Sequence, residues 1–314
     1  MRALVTGGAG FIGSNLIPVL LDEGWEVGVL DDLSNGSAEN VPQGADLTIG
    51  DIRDAGAVAG AMDGAEAVFH MAALGSVSRS LEDPLRSHGV NVDGTLRVLE
   101  EARRSGVRRV VYASSSSVYG DTPILPKHED MPPSPRSPYA ASKLAAEAYV
   151  RAYATSFGLQ TVSLRFFNVF GPRQDPASEY AAVIPRFVTA MSRGERPVLF
   201  GDGAQTRDFT YVDNVVHACL LAARAGPDAV GRAYNVGCGE RISLLQLVEG
   251  LNRALGTSLQ PAHADPRPGD VRHSLADVTA AARDLGYRPS VTVQEGLART
   301  VAWFAANPAQ PVQP

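Results

Sequence analysis

Ala3-Leu4-Val5-Thr6-Gly7-Gly8-Ala9-Gly10-Phe11-Ile12-Gly13 opens the chain and decides how the rest of it reads. Ala3–Thr6 is a short apolar strand, and Ser14–Glu23 reads as a helix. Between them lies Gly-x-x-Gly-x-x-Gly. Gly7 permits a tight turn, Gly10 lets the backbone approach a pyrophosphate, and Gly13 lets helix and strand pack closely. The helix start then faces the phosphates with free N–H groups and a positive dipole end. A bare glycine pattern is weak evidence, since it also describes an ordinary turn. Set between a strand and a helix at the start of the chain, it predicts a dinucleotide site in an α/β fold.

Working outward, the β–α alternation continues. Trp25–Leu30 is a second strand, with Asp31-Asp32 at its end. A carboxylate there accepts hydrogen bonds from the adenosine ribose and repels a 2′-phosphate, which favours NAD over NADP. Ser34-Asn35-Gly36 is a turn at the same edge. Asp46–Gly50 is a third strand, ending in Asp51-Ile52, where a carboxylate and an apolar side chain suit the edge and face of adenine. Glu66–His70 is a fourth, followed by the small residues around Leu74, Gly75 and Ser76. A helix from near Pro84 to about Ser105 carries Asn91. Arg108–Ala113 and Leu159–Phe166 are the fifth and sixth strands. The expected fold is α/β: a Rossmann-type doubly wound parallel sheet with a smaller C-terminal α/β substrate lobe. Residues 1–168 form the NAD-binding domain. Residues 169–314 form mainly the substrate lobe, with some chain returning to the first domain.

Two stretches carry chemistry. Ser114-Ser115-Ser116-Ser117 follows the fifth strand, at the carboxyl end where open parallel sheets bind ligands. Ser137-Pro138-Tyr139-Ala140-Ala141-Ser142-Lys143 starts a helix running to Phe157, with Pro138 suited to its first turn. Tyr139 and Lys143 are i and i+4, on one face. A phenol titrates near ~10 in water, and an ammonium one turn away lowers that value, giving a base for a sugar hydroxyl. Four serines in a row leave the choice of partner open on chemistry alone. Arg207 and Arg267 stand in loops, where a guanidinium suits phosphate oxygens or merely a surface ion pair.

The 314 residues carry a net charge of −6, 45% hydrophobic and 20% charged residues. No basic stripe points to nucleic acid. Cys219 and Cys238 lack metal-ligand spacing and read as thiols in a reducing compartment. His70 and His88 are lone histidines, so no metal is expected. With no apolar run of membrane-spanning length and no signal-peptide pattern, a cytoplasmic protein is expected.

Together these motifs resemble the extended short-chain dehydrogenase/reductase family, and within it the UDP-hexose 4-epimerases. The likeness spans nearly the whole chain. It rests on Thr6–Gly13, Asp51-Ile52-Arg53-Asp54, His70–Ala73, Ser114–Gly120, Ser137-Pro138-Tyr139 with Lys143, and Arg165–Pro172. Gly201-Asp202-Gly203 with Arg207-Asp208-Phe209, Asn235-Val236-Gly237 and Arg267-Pro268-Gly269-Asp270 complete it. The resemblance implies tightly held NAD, with Gly7, Gly10, Phe11, Ile12, Asp31, Asp32, Asn35, Asp51, Ile52, Leu74 and Asn91 as cofactor contacts. Tyr139 would remove the 4-OH proton, and Lys143 would bind the nicotinamide ribose. Ser115 matches the family's catalytic serine, with Ser116 able to share the role. Asn168, Ser76, Val183 and Arg186 would contact the substrate, Arg207 and Arg267 its diphosphate, Val198 and Phe200 the uracil, and Asp270 the uridine ribose. A homodimer through the helices around Asp83–Ser105 and Pro138–Phe157 is implied too.

Two departures bear on specificity. Gly75 stands where many glucose-type enzymes carry lysine. Ser274 replaces a bulky tyrosine, which opens room for N-acetylhexosamines. A uronate held by Arg79 or Arg186 is the alternative. A 4,6-dehydratase needs an Asp-Glu pair where Ser116 and Ser117 stand, and a UDP-glucuronate decarboxylase or an NAD-sensing binding protein are the remaining rivals.

Overall fold

The computed structural model of the protein describes residues 1–176, 182–265 and 271–307. The glycine stretch folds as read. β1 is Arg2–Thr6 and α1 is Phe11–Asp22, with β2 at Glu26–Asp31 and β3 at Ala45–Ile49. Helix α2, Ala55–Met62, starts at Asp54, whose carboxylate accepts from Gly56 and Ala57 N–H. β4 (Ala67–His70), β5 (Arg109–Ser115) and β6 (Gln160–Phe166) follow. With a seventh strand, Arg232–Val236, they form one sheet. Its order from one edge is the seventh strand, β6, β5, β4, β1, β2, β3, and every neighbouring pair is parallel. Strands β1 and β4 through β6 are buried almost throughout because helices cover both faces.

The winding explains where a ligand goes. The chain lays down β1, β2 and β3 in one direction, then crosses back to place β4 on the other side of β1. The carboxyl ends of β1 and β4 diverge there and leave a crevice. Gly7, Met71 and Ala72 line it.

The predicted helix from Pro84 to Ser105 is three segments. α3 (Val77–Glu82) precedes α4 (Pro84–His88), a π-helical turn spans Gly89–Gly94, and α5 is Thr95–Arg104. The wider turn rotates Asn91 inward, where its Oδ1 accepts from Leu74 N–H at 2.8 Å. Helix α6, Pro138–Phe157, has the bounds the sequence predicts. Ser137 caps it by accepting from Ala140 N–H, and Gly158 ends it at φ +72°.

Beyond residue 169 the elements shorten. α7 (Val183–Ser192), α8 (Val212–Arg224) and α9 (Leu244–Leu255) alternate with two- and three-residue strands. Val198–Phe200 pairs with Ala262–Ala264, and Thr206–Arg207 with Ile242–Ser243. One apolar core runs from Val5 and Leu16 through Phe170 and Phe209 to Leu247 and Leu297. The seventh strand carries Asn235 from this later half of the chain back to the sheet.

Candidate active site

The glycine turn shows three different demands on three glycines. Gly7 has φ +69°, and a Cβ there would lie 2.6 Å from Ala72 N. A Cβ on Gly13 would lie 2.3 Å from Gly7 O. Both are required by the protein itself. Gly10 has φ −82° and a Cβ there would meet nothing nearer than Gly7 O at 3.4 Å. Gly10 lines the cavity, so a methyl group would fill ligand space and not protein space. No side chain caps α1, whose first turn therefore offers free N–H groups to that space.

That cavity has a volume of about 830 Å³ and runs along the carboxyl ends of the strands. Phe11, Ile12, Asp31, Asp32, Asn35, Asp51, Ile52 and Leu74 line it. Asp31 also ties the turn to β2. Its carboxylate accepts from Ala9 N–H and Leu33 N–H, each at 2.9 Å. Burial pushes its pKa up, and those N–H groups pull it back. Asp32 is exposed and accepts from Ser34. Asp51 is held below its ordinary pKa by Arg53. An uncapped helix start, a glycine cradle and carboxylates at the ends of β2 and β3 fit a dinucleotide. Asn91 is the exception among the proposed contacts: it lies behind the wall, 1% exposed, bonded to Leu74 and Ser142. Its part is to set the loop after β4.

The catalytic candidates meet midway along the cavity. Tyr139, Lys143 and Ser115 all line it, and the Ser115 hydroxyl lies close enough to the Tyr139 phenol to pull its pKa down. The four serines separate. Ser114 Oγ is buried and donates to Glu147 at 2.6 Å. Ser117 donates to Ser115 Oγ from both N–H (3.2 Å) and Oγ (2.9 Å). Ser116 faces the cavity.

The charges differ from the expectation. Burial pushes the Tyr139 phenol up from its ordinary value, and Ser115 is what pulls it down. Burial brings Lys143 down to about 7, and its Nζ donates to Ala113 O at 2.8 Å. The enclosure that sets the pair's geometry weakens the ammonium as well as the phenolate, so Lys143 acts on the phenol only to the extent that it stays charged.

At the far end a second cavity of about 280 Å³ is lined by Val183, Arg186, Val198, Phe200 and Arg207. It shares Asn168, Val169, Ala182 and Arg207 with the first, so the two form one trough. Asn168, at φ +31°, is pinned by Nδ2 to Asp208 O at 3.0 Å. Ser274 lines the large cavity, 5% exposed, its N–H on Thr206 O. Ser76 lines it as well and caps α3. Arg267 and Asp270 lie outside the described residues. Arg79 hydrogen-bonds Asn35 at the adenosine end, away from Arg186.

Sequence reasoning missed the support beneath the serines. Arg165 on β6 pairs with Glu147 of α6 (2.6 Å) and donates to Tyr119 Oη (2.8 Å), which donates to Asn235 Oδ1 (2.6 Å). Extending the i+4 step from Tyr139 and Lys143 leads to Glu147, so that signal was present. Lys127, Gln174 and Val271, also lining the cavity, carried no such signal.

Residues 3–237 match the NAD dependent epimerase/dehydratase family. A UDP-glucose 4-epimerase of Mycolicibacterium smegmatis is 44% identical over 311 residues, covering 97% of this chain and 98% of the relative. The crystal structure of Thermus thermophilus UDP-glucose 4-epimerase in complex with NAD superposes with TM-score 0.88 at 41% identity, over 97% and 99% of the chains. A Methanobrevibacter ruminantium UDP-N-acetylglucosamine 4-epimerase, in complex with UDP-N-acetylmuramic acid, gives TM-score 0.92 at 38% identity, over 98% of each. With these likenesses spanning glycine turn, sheet and trough alike, the chain belongs to the NAD dependent epimerase/dehydratase family of extended short-chain dehydrogenases/reductases.

Proposed function

We propose that this protein interconverts UDP-hexoses epimeric at C4, through a transient 4-keto sugar, with tightly bound NAD. The observation that carries the reading is the Ser115–Tyr139 contact in the middle of a trough open at one end to the glycine turn and at the other to Arg207 and Phe200. Bound NAD would supply the reversible hydride acceptor that the chemistry at C4 requires. Gly10 and the start of α1 hold its pyrophosphate, and Asp31 and Asp32 its adenosine ribose. Tyr139 takes the 4-OH proton and gives it back, Ser115 hydrogen-bonds the same hydroxyl, and Lys143 binds the nicotinamide ribose. Arg207 and Arg267 bind the diphosphate, Val198 and Phe200 flank the uracil, and Asp270 meets the uridine ribose.

Ser274 favours acceptance of N-acetylhexosamines beside plain hexoses, because a hydroxymethyl group leaves volume where a tyrosine ring would stand. Uronate selection by Arg79 or Arg186 is less well supported. One sits at Asn35 and the other beside Val198 and Phe200. Among the described residues the carboxylates lining the large cavity are Asp31, Asp32, Asp51 and Asp175, and Ser116 and Ser117 supply no acid. Elimination of water therefore lacks its proton donor and base.

The protein acts as a cytoplasmic homodimer in this reading. Leu85 on α4, and Tyr149 and Phe157 on α6, are exposed apolar side chains on the helices expected at the interface. Among the described residues no helix is long and apolar enough to cross a membrane. Separate incubation with UDP-glucose, UDP-N-acetylglucosamine and UDP-glucuronate, with products resolved, tests the activity. Tyr139→Phe should keep NAD and lose about 10³-fold in turnover. Loss of water, release of carbon dioxide, or full activity of that variant refutes the reading.

A further inference from the structure

We propose that Tyr112 is a positioning residue for this reaction, its ring face holding the Lys143 ammonium charged beside Tyr139. The inference rests on the epimerase reading and adds a residue to it.

Lys143 is 3% exposed. Its Nζ has three donors and gives one to Ala113 O, at 2.8 Å. It also stands over the Tyr112 ring, 5.1 Å from the centroid. The negative face of an aromatic ring attracts a desolvated cation. Tyr112 has no other polar employment: it is 1% exposed and its hydroxyl is buried without a hydrogen-bond partner. An unpartnered buried hydroxyl does not stabilise a fold, so the ring is the useful part.

The ring is held in place. It packs on His70, with centroids 5.7 Å apart. The two His70 nitrogens meet Thr6 Oγ1 (2.7 Å) and Thr95 Oγ1 (2.9 Å), and burial keeps this imidazole neutral. The titratable groups around the Lys143–Tyr112 pair are thus Tyr139 and Glu147 from α6 and His70 from β4. Glu147 is already paired with Arg165 of β6. Burial discharges the lysine, and the Tyr112 face works against that. A charged Lys143 lets Tyr139 release its proton more readily. Without the ring face, the phenol needs a higher pH to act as base.

The test is the pH dependence of kcat in the NAD-loaded enzyme. Tyr112→Phe keeps the ring and should superpose on the wild type. Tyr112→Leu should move the acid limb upward by about one pH unit, with kcat near neutrality about tenfold lower and the alkaline plateau regained. Replacing Tyr112 with pentafluorophenylalanine keeps the shape and removes the negative face, so it should shift the limb even if the leucine variant folds poorly. A purely structural role would lower the whole profile without moving its limb. Limbs that coincide for wild type and the fluorinated ring overturn the inference. A wild type that epimerises no UDP-hexose overturns the underlying reading instead.

Discussion

Lys143→Met should make the cofactor-free protein more stable near neutrality, by an amount that vanishes as pH rises. An exposed lysine titrates near 10.5, and burial brings Lys143 to about 7. At pH 7 the unfolded chain holds this proton fully and the folded chain holds it half the time. Folding therefore costs about 4 kcal/mol at this residue. The folded value is depressed, so the penalty is complete below pH 7. It shrinks as pH climbs toward the unfolded value, to about 1 kcal/mol at pH 10. Methionine removes the titration but forfeits the hydrogen bond to Ala113 O, at about 1 kcal/mol independent of pH. The variant should therefore exceed the wild type by about 3 kcal/mol at pH 7 and match it by pH 10. Urea unfolding of both proteins, stripped of NAD, at pH 7, 8, 9 and 10 measures the difference and cancels every other titrating group. A difference that stays constant across that range would falsify the claim that a buried, discharging ammonium sits beside Tyr139.

Three further outcomes follow from the same geometry. Gly10→Ala should leave the unfolding midpoint unchanged and weaken NAD by about tenfold or more, whereas Gly13→Ala should cost about 3 kcal/mol, since only the second collides with backbone; calorimetry and thermal melts separate the two. Glu147→Gln leaves the Arg165 guanidinium without its charged partner in a site where both side chains are nearly enclosed, so urea unfolding should show a loss of about 3–5 kcal/mol. Ser274→Tyr should fold normally and lower kcat/KM for UDP-N-acetylglucosamine at least about tenfold relative to UDP-glucose; an unchanged ratio would remove Ser274 from the specificity argument.

The sheet was legible because its evidence is local. β1, β2, β3 and β5 are short runs rich in apolar residues, closed by a glycine, an acid or a serine, and the structure shifts the ends of β1 to β6 by two residues at most. The seventh strand was less visible. Arg232–Val236 lies among short elements, and only its pairing with β6 gives it a place in the sheet. The helix predicted from Pro84 to Ser105 was read with the right extent and the wrong geometry. A π turn depends on what Asn91 reaches across space, and Leu74 is 17 residues away. In the trough, motif spacing located the walls but not which wall atoms were already engaged. Asn91 and Ser114 are polar residues in the right motifs whose hydrogen-bonding capacity is spent behind the cavity.

The protonation of Tyr139 and Lys143 could not be read from their spacing, for a definite reason. Four residues apart on α6 fixes that they are neighbours; it says nothing of the medium between them. That medium is supplied by Tyr112, Ala113 and Ser115 on β5 and by His70 on β4, which reach the pair only when the sheet closes. Burial acts on both members in the same sense, toward neutrality: the phenol rises and the amine falls. The neutral pair and the phenolate–ammonium pair carry the same net charge and differ by one proton moved between them. Enclosure thus makes the ionic form costly without forbidding it. A partial charge placed close by, from a ring face or from a bound cation, then has a large effect, because the low-dielectric surroundings do not screen it. The base is accordingly a property of the filled trough, and a titration of Tyr139 in the empty protein should give a higher pKa than the acid limb of turnover.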